Sequence, residues 1–106
     1  MKRLTPSTEE ALELFRQCTP LFQALGDRIR QSIILLLAEH ESLNVNQIAE
    51  QIPLSRPAIS HHLKILRETG LVLVNRKGTE NFYSLEVEES IKLLKKLIQA
   101  VEETCF

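Results

Sequence analysis

The chain has 106 residues, of which 43% are hydrophobic and 25% are charged. This length fits a single domain, 1–106, and the longest apolar run, Ile33–Ala38, is far shorter than the roughly 20 residues of a membrane helix. No apolar segment follows Lys2 and Arg3, so we expect no signal peptide. Two cysteines are too few for a disulfide framework, which favours a cytoplasmic protein. Together these features argue against secreted, membrane-spanning and fibrous classes.

The charge of the chain is unevenly distributed. The net charge is −1, from 13 basic and 14 acidic residues, which by itself argues against a nucleic-acid-binding protein. Residues 53–79, however, have a local charge of +4, with one acidic residue, Glu68, and five basic ones: Arg56, Lys64, Arg67, Arg76 and Lys77. This segregation indicates one basic face on a nearly neutral molecule, although a merely solvated basic surface gives the same pattern.

Local start and stop signals predict three helices in the first 40 residues. Ser7 and Glu10 have the spacing of a capping box, which predicts a helix over 7–18. Thr19-Pro20 resembles an N-cap followed by a proline at the first helical position, so a second helix is expected to begin there. Gly26-Asp27 should end that helix and cap a third, which is apolar nearly all round and is expected to lie centrally in the core.

The middle of the chain predicts two further helices joined by a tight turn. Asn44 and Gln47 form another capping-box pair, which opens a helix over 45–51, and Pro53 ends it. A helix capped by Ser55 follows and extends over 55–69 to the stop at Gly70. Its buried stripe is predicted to be Ile59, Leu63 and Leu66.

The period changes from 3.6 to about 2 after Gly70. Residues 71–76 and 80–85 are predicted strands, joined by Lys77-Gly78-Thr79 into a hairpin over 71–85. Phe82 and Tyr83 should point to opposite faces, one of them toward the core.

The last helix, 87–105, has apolar residues at heptad spacing, which suits either an intramolecular contact or a dimer interface; we favour the dimer. These residues are Val87, Ile91, Leu94, Ile98, Val101 and Cys105.

Two short helices followed by a hairpin predict a winged helix-turn-helix: a mainly α fold with five to six helices and a two-stranded wing. Ala49 is small enough for the helix crossing, and Ile59 fills the joint. The outward side of the second helix then carries donors suited to base edges and phosphates, and the hairpin tip can contact the DNA backbone or minor groove. The outward residues are Arg56, Ser60, His61, Lys64 and Arg67.

His61 and His62 point about 100° apart, so they do not form a metal pair, and His62 is expected beside the wing.

The segment SRPAISHHLKILRETGLV, preceded by LFQALGDRIRQSIILLLAE and followed by RKGTENFYSL, resembles the ArsR/SmtB-type winged-helix repressors over residues 21–85. The resemblance implies a homodimer that represses transcription from a palindromic DNA operator and is released by an inducer, which the residues do not specify. It implies DNA-reading roles for Arg56, Pro57, Ser60, His61 and Lys64, and wing roles for Arg76 and Lys77. It also implies that 7–18 and 87–105 form the dimer interface, with Ala11, Phe15, Ile91, Leu94, Ile98 and Val101.

The chain departs from the pattern of these repressors in three places. Pro53 stands where they have a glycine of positive φ, so the turn must take another shape. Asn44 and Asn46 stand where the resemblance places metal-binding cysteines, and residues 86–106 contain no histidine. We therefore predict neither a metal site nor a cofactor.

Two alternative functions stay open, while an enzyme is not expected because no catalytic motif is present. Cys18 and Cys105 suggest a repressor that responds to redox or sulfur species, although each lies on an apolar stripe where cysteine is a common core residue. A winged helix used only for protein contact is the other alternative. It predicts an apolar or acidic face on the second helix, which the sequence does not show.

Overall fold

Five helices and a three-stranded sheet make up the computed structural model, which describes residues 6–105. The helices are α1 (Pro6–Leu25), α2 (Arg28–Ala38), α3 (Val45–Gln51), α4 (Arg56–Glu68) and α5 (Glu88–Cys105). The strands are β1 (Leu43–Asn44), β2 (Val72–Lys77) and β3 (Glu80–Leu85), in the antiparallel order β1-β3-β2. The predicted winged helix-turn-helix is confirmed, and β1 is an additional strand that pairs Leu43 with Tyr83.

Local capping signals define the ends of α2, α3 and α4 as predicted. The Asp27 side chain accepts from the Arg30 N–H, and Asn44 and Gln47 form the complete capping box. After α4, the Gly70 and Leu71 N–H groups donate to the carbonyls of Arg67 and Leu66, which is a Schellman ending. Gly70 has φ of 78°, a conformation that favours glycine.

The first helix contradicts the predicted start at Ser7 and the predicted break at Thr19-Pro20. Helix α1 begins at Pro6, so Ser7 is already helical, and it continues through Pro20 to Leu25. Because Cys18 and Leu21 are both buried, ending the helix between them would interrupt one continuous packed stripe. Pro20 itself is exposed, on the side where solvent can satisfy the carbonyl that its missing N–H leaves free.

The core lies where α2, α3 and α4 meet the sheet. Its most completely buried large side chains are Ile33, Leu37, Ile48, Ile59, Leu63, Leu66 and Val72. Each such side chain contributes about 1.5–3 kcal/mol by leaving water. Helix α2 is less enclosed than predicted, because Leu35 is 67% exposed.

Helices α1 and α5 pack antiparallel beside this core. The Thr104 hydroxyl donates to the Ser7 carbonyl at one end, and the Cys18 thiol lies 4.0 Å from the Leu93 carbonyl farther along. Ala11, Leu97 and Ala100 are buried. Helices α1 and α5, the first and last of the described helices, therefore form a separate layer beside the core.

Candidate nucleic-acid interface

The turn between α3 and α4 accommodates Pro53 without a residue of positive φ. The Leu54 N–H donates to the Ile52 carbonyl at 2.8 Å, which closes a three-residue turn around Pro53. An inverse γ-turn of this kind has a central φ close to the value that the proline ring imposes. Ser55 then caps α4 by accepting from the Ala58 N–H at 3.3 Å. The altered turn shape that the sequence requires is thus supplied locally.

Helix α4 is divided sharply between a buried and an exposed side. Ile59, Leu63 and Leu66 are 0% exposed. The opposite side, called the outward face below, carries no large apolar side chain, and all of its predicted site residues are exposed: Arg56, Pro57, Ser60, His61, Lys64 and Arg67. Lys64 lies 4.0 Å from Glu68, an exposed pair that leaves the basic character of the face largely intact.

The hairpin of β2 and β3 forms a wing beside α4. Gly78 and Thr79 are the two turn residues, and Gly78 has φ of 64°, as a type II′ turn requires at its first central position. Arg76 and Lys77 are both exposed at the tip. The Arg76 Nε donates to the Gly78 carbonyl at 3.1 Å, and the Lys77 Nζ lies 5.5 Å from the centre of the Phe82 ring. Tyr83 packs against the core, as predicted for one member of the aromatic pair.

A recess of about 230 Å³ lies between the outward face and strand β3 of the wing. Ser60 of α4 and Tyr83 of β3 both line it, together with Asn44, Asn46, Glu80 and Asn81. Asn44 donates through Nδ2 to Glu80 at 3.3 Å, so the cap of α3 also holds the wing. The contact of Asn44 with the wing could not be predicted from sequence, because a two-residue strand such as β1 has no detectable periodicity.

His62 does not lie beside the wing, as was predicted, but against the start of α2. Its Nδ1 is 3.2 Å from the Arg30 Nη1 and 3.8 Å from the Asp27 carboxylate. The Arg30 backbone N–H, and secondarily the positive charge of the Arg30 guanidinium, lower the pKa of Asp27 below its usual value. The prediction failed because helical spacing gives the direction of a side chain and not the neighbouring element in that direction.

The structure does not bring Cys18 and Cys105 together. Cys18 lies beside Leu93, whereas Cys105 is twelve residues farther along α5, or about 18 Å at the helical rise. A disulfide needs Cα atoms within about 7 Å, so a bridge within one chain does not fit this arrangement. Burial also raises the pKa of the Cys18 thiol and so disfavours the reactive thiolate.

We predict that iodoacetamide modifies Cys105 and leaves Cys18 unmodified in the native protein, because Cys18 is 0% exposed. Peptide mass mapping after brief labelling measures both sites. The same labelling in concentrated urea is the control and should modify both cysteines. Equal labelling of the two sites in the native protein would contradict this account of Cys18.

An apolar surface runs along the α1–α5 pair. Phe15 is 45% exposed and Ile98 is 56% exposed, and Leu12, Phe22 and Ile91 are exposed as well. A groove of about 520 Å³ between the helices is lined by residues that include Ala11, Leu12, Phe15, Val101 and Cys105. Of the predicted interface residues, Ala11 is buried within the chain, and Leu94 and Val101 are half-buried.

Residues 6–105 contain no group of three or more His, Cys, Asp or Glu side chains arranged to hold a metal ion. Within the same range, no helix combines the length and the hydropathy that crossing a membrane requires.

Comparison with known proteins gives a consistent family. A family model described as bacterial regulatory protein, arsR family, matches residues 27–73, from the cap of α2 into β2. An HTH-type transcriptional regulator of Methanocaldococcus jannaschii is 39% identical over 81% of this chain and 100% of that protein. The arsenical resistance operon repressor of Bacillus subtilis is 33% identical over 83% of this chain and 84% of its own length.

A solved ArsR-like transcriptional regulator from Rhodococcus sp. RHA1 superimposes with a TM-score of 0.78 at 28% identity, covering 87% of this chain and 84% of that one. The relatives are transcriptional regulators and not enzymes. Sequence and fold together show that the chain belongs to the ArsR family and is a DNA-binding transcriptional repressor.

Proposed function

We propose that the protein acts as a cytoplasmic homodimer that binds a palindromic operator, with α4 in the major groove and the wing on the flanking backbone. The outward face of α4 carries the proposal. It offers exposed donors and positive charge along its length, while every large apolar side chain of the helix is turned inward. A helix meant only for protein contact would present an apolar or acidic face instead.

The position of each side chain on α4 suggests its role on DNA. Residues near the N-terminus of a recognition helix contact base edges, so Arg56, Pro57, Ser60 and His61 are proposed to read sequence. An arginine can donate two hydrogen bonds to guanine O6 and N7. Phosphate contacts are proposed for the remaining basic residues, at the end of α4 and at the wing tip: Lys64, Arg67, Arg76 and Lys77.

The apolar surface of α1 and α5 is the proposed dimer interface. Exposed Phe15 and Ile98 lie on it, and pairing two copies would remove both from water. A two-fold dimer presents its recognition helices to half-sites about one helical turn of DNA apart, which gives the operator its palindromic form.

We propose that the repressor works without the metal sites that the resemblance to ArsR/SmtB repressors would place in α3 or α5. Asn44 already accepts from the Gln47 N–H and donates to Glu80, and neither Asn44 nor Asn46 offers a thiolate. Residues 86–106 contain no histidine to serve as a ligand on α5. Any inducer would therefore have to act through residues other than those two metal sites.

A salt titration of duplex binding tests the proposed function. Binding that weakens steeply as salt rises is expected, because phosphate contacts release counterions. Affinity no better than a few hundred micromolar at low salt, with little salt dependence, would contradict DNA binding and favour the protein-contact alternative.

We predict that Arg56→Ala reduces operator affinity by about 1–3 kcal/mol and relaxes the preference at one base position. Lys77→Ala is the matched control, since it should weaken binding to all sequences alike and reduce the salt slope by about one unit. Electrophoretic mobility shifts with operator and unrelated duplexes measure both. If Arg56→Ala leaves the ratio of specific to non-specific affinity unchanged, Arg56 does not read bases.

A further inference from the structure

Arg30 connects three helices through its guanidinium group. Its Nε donates to the Ala24 carbonyl at 2.7 Å and its Nη2 donates to the Gln23 carbonyl at 3.1 Å, so Arg30 caps the end of α1. Its Nη1 lies 3.2 Å from the Nδ1 of His62 on α4. Because arginine has no acceptor, Nδ1 must accept this hydrogen bond, and a neutral His62 then carries its proton on Nε2.

Asp27 completes the cluster from the other side. Its Oδ2 accepts from the Arg30 backbone N–H at 3.0 Å and lies 3.8 Å from the His62 Nδ1. The Asp27 carboxylate and the Arg30 guanidinium therefore both lie beside the Nδ1 of the His62 imidazole. The His62 side chain is 17% exposed, so water has limited access to these contacts.

The direction of these contacts matters because the rest of the inner side of α4 is apolar. Ile59, Leu63 and Leu66 hold the helix against the core, but apolar burial depends little on orientation. A hydrogen bond weakens steeply as its angle and length depart from the optimum. The contact from Arg30 to His62 therefore opposes rotation and sliding of α4 that the apolar contacts alone would permit.

We propose that Arg30 and His62 are positioning residues that fix the orientation of α4 relative to α1, and so the separation of the two recognition helices in the dimer. This inference rests on the proposed function, in which α1 belongs to the dimer interface. A dimer held in this way accepts one half-site spacing, whereas loss of the contact lets α4 settle in several orientations and widens the range of spacings that bind.

Three variants separate positioning from general stability. His62→Leu removes the acceptor and retains an apolar body, and His62→Asn restores an acceptor near the position of Nδ1. Gln31→Ala is the matched control, because Gln31 donates to the Leu25 carbonyl at 2.8 Å in the same corner while its hydrogen bond does not involve α4. Thermal unfolding of all three confirms that each is folded at the temperature of the assays.

The first readout uses a duplex selected by the wild-type protein from random sequences, compared with duplexes whose half-sites are one base pair closer or farther apart. His62→Leu should reduce the preference for the selected spacing by about fivefold to tenfold, the size expected for one typical hydrogen bond. His62→Asn should recover most of the spacing preference, and Gln31→Ala should retain it. An unchanged preference in His62→Leu would overturn the inference.

The second readout needs no DNA. A spin label at Arg67→Cys in a Cys105→Ser background reports the distance between the two α4 helices, since the remaining Cys18 is buried. We expect a broader distance distribution in His62→Leu and a narrow one in His62→Asn and Gln31→Ala. If His62→Leu is dimeric and its distance distribution is as narrow as that of the protein with His62, only the positioning role is overturned. If the labelled protein that retains His62 shows no measurable distance between labels, it is monomeric, and this result overturns the dimer of the proposed function together with the inference.

Discussion

Ile98→Glu is expected to convert the dimer to monomers and to weaken operator binding by two to three orders of magnitude. Ile98 is 56% exposed within a single chain, so a glutamate there stays hydrated and the monomer keeps its fold. In the dimer the same carboxylate would be buried without a partner. Such a charge costs about 3–5 kcal/mol, which corresponds to roughly a hundredfold to several thousandfold in the association constant.

Sedimentation equilibrium measures the mass of the variant, and mobility shifts on the operator measure its binding. Leu35→Glu is the matched control, because Leu35 is 67% exposed on α2, outside the α1–α5 surface. This control should keep both the dimer mass and the operator affinity. An Ile98→Glu protein that remains dimeric at micromolar concentration would show that the dimer uses another surface.

Leu63→Ala is expected to lower the free energy of unfolding by about 2–5 kcal/mol, through lost burial and the cavity left behind. Leu63 is 0% exposed and lies between Ile59 and Leu66 on the inner side of α4. Urea denaturation measures the change, at one protein concentration because the stability of a dimer depends on it.

Lys64→Ala is the neighbouring control for Leu63→Ala. Lys64 is exposed, and its ion pair with Glu68 is a surface contact, so stability should change by no more than about 0.5 kcal/mol while DNA affinity falls. Opposite outcomes at adjacent positions would establish the two sides of α4. A loss below about 1 kcal/mol for Leu63→Ala would mean that this side of the helix is not packed as the structure shows.

The sequence identified α4 and its orientation because the signals involved are local. Ser55 caps the helix through its own hydroxyl, and Gly70 ends it through a φ that other residues rarely adopt. Between them, the spacing of Ile59, Leu63 and Leu66 leaves only one side of the helix for solvent. Each of these effects acts within a few residues of the chain, so no knowledge of distant partners was needed.

Helix α1 shows how packing overrides a local signal. Thr19-Pro20 has the form of a helix start, and a proline inside a helix costs about 3 kcal/mol. Burial of Cys18, Leu21 and Ala24 along α1 offsets this cost, and the Thr19 hydroxyl donates to the Phe15 carbonyl at 2.9 Å within the continuous helix. The gain depends on neighbours distant in sequence, α5 among them, so the residues around Pro20 could not reveal it.

The residues by themselves determined the helix-turn-helix followed by the wing, the caps of α2 to α4 and the polar outward side of α4. The tertiary structure decided which groups meet across elements: Arg30 with His62, Asn44 with Glu80, and Cys18 with Leu93 rather than Cys105. Caps, turns and periodicity depend on backbone geometry within one or two helical turns. Contacts between elements depend on how those elements pack. A shift of one helix or strand by a single turn or position would change every one of these contacts.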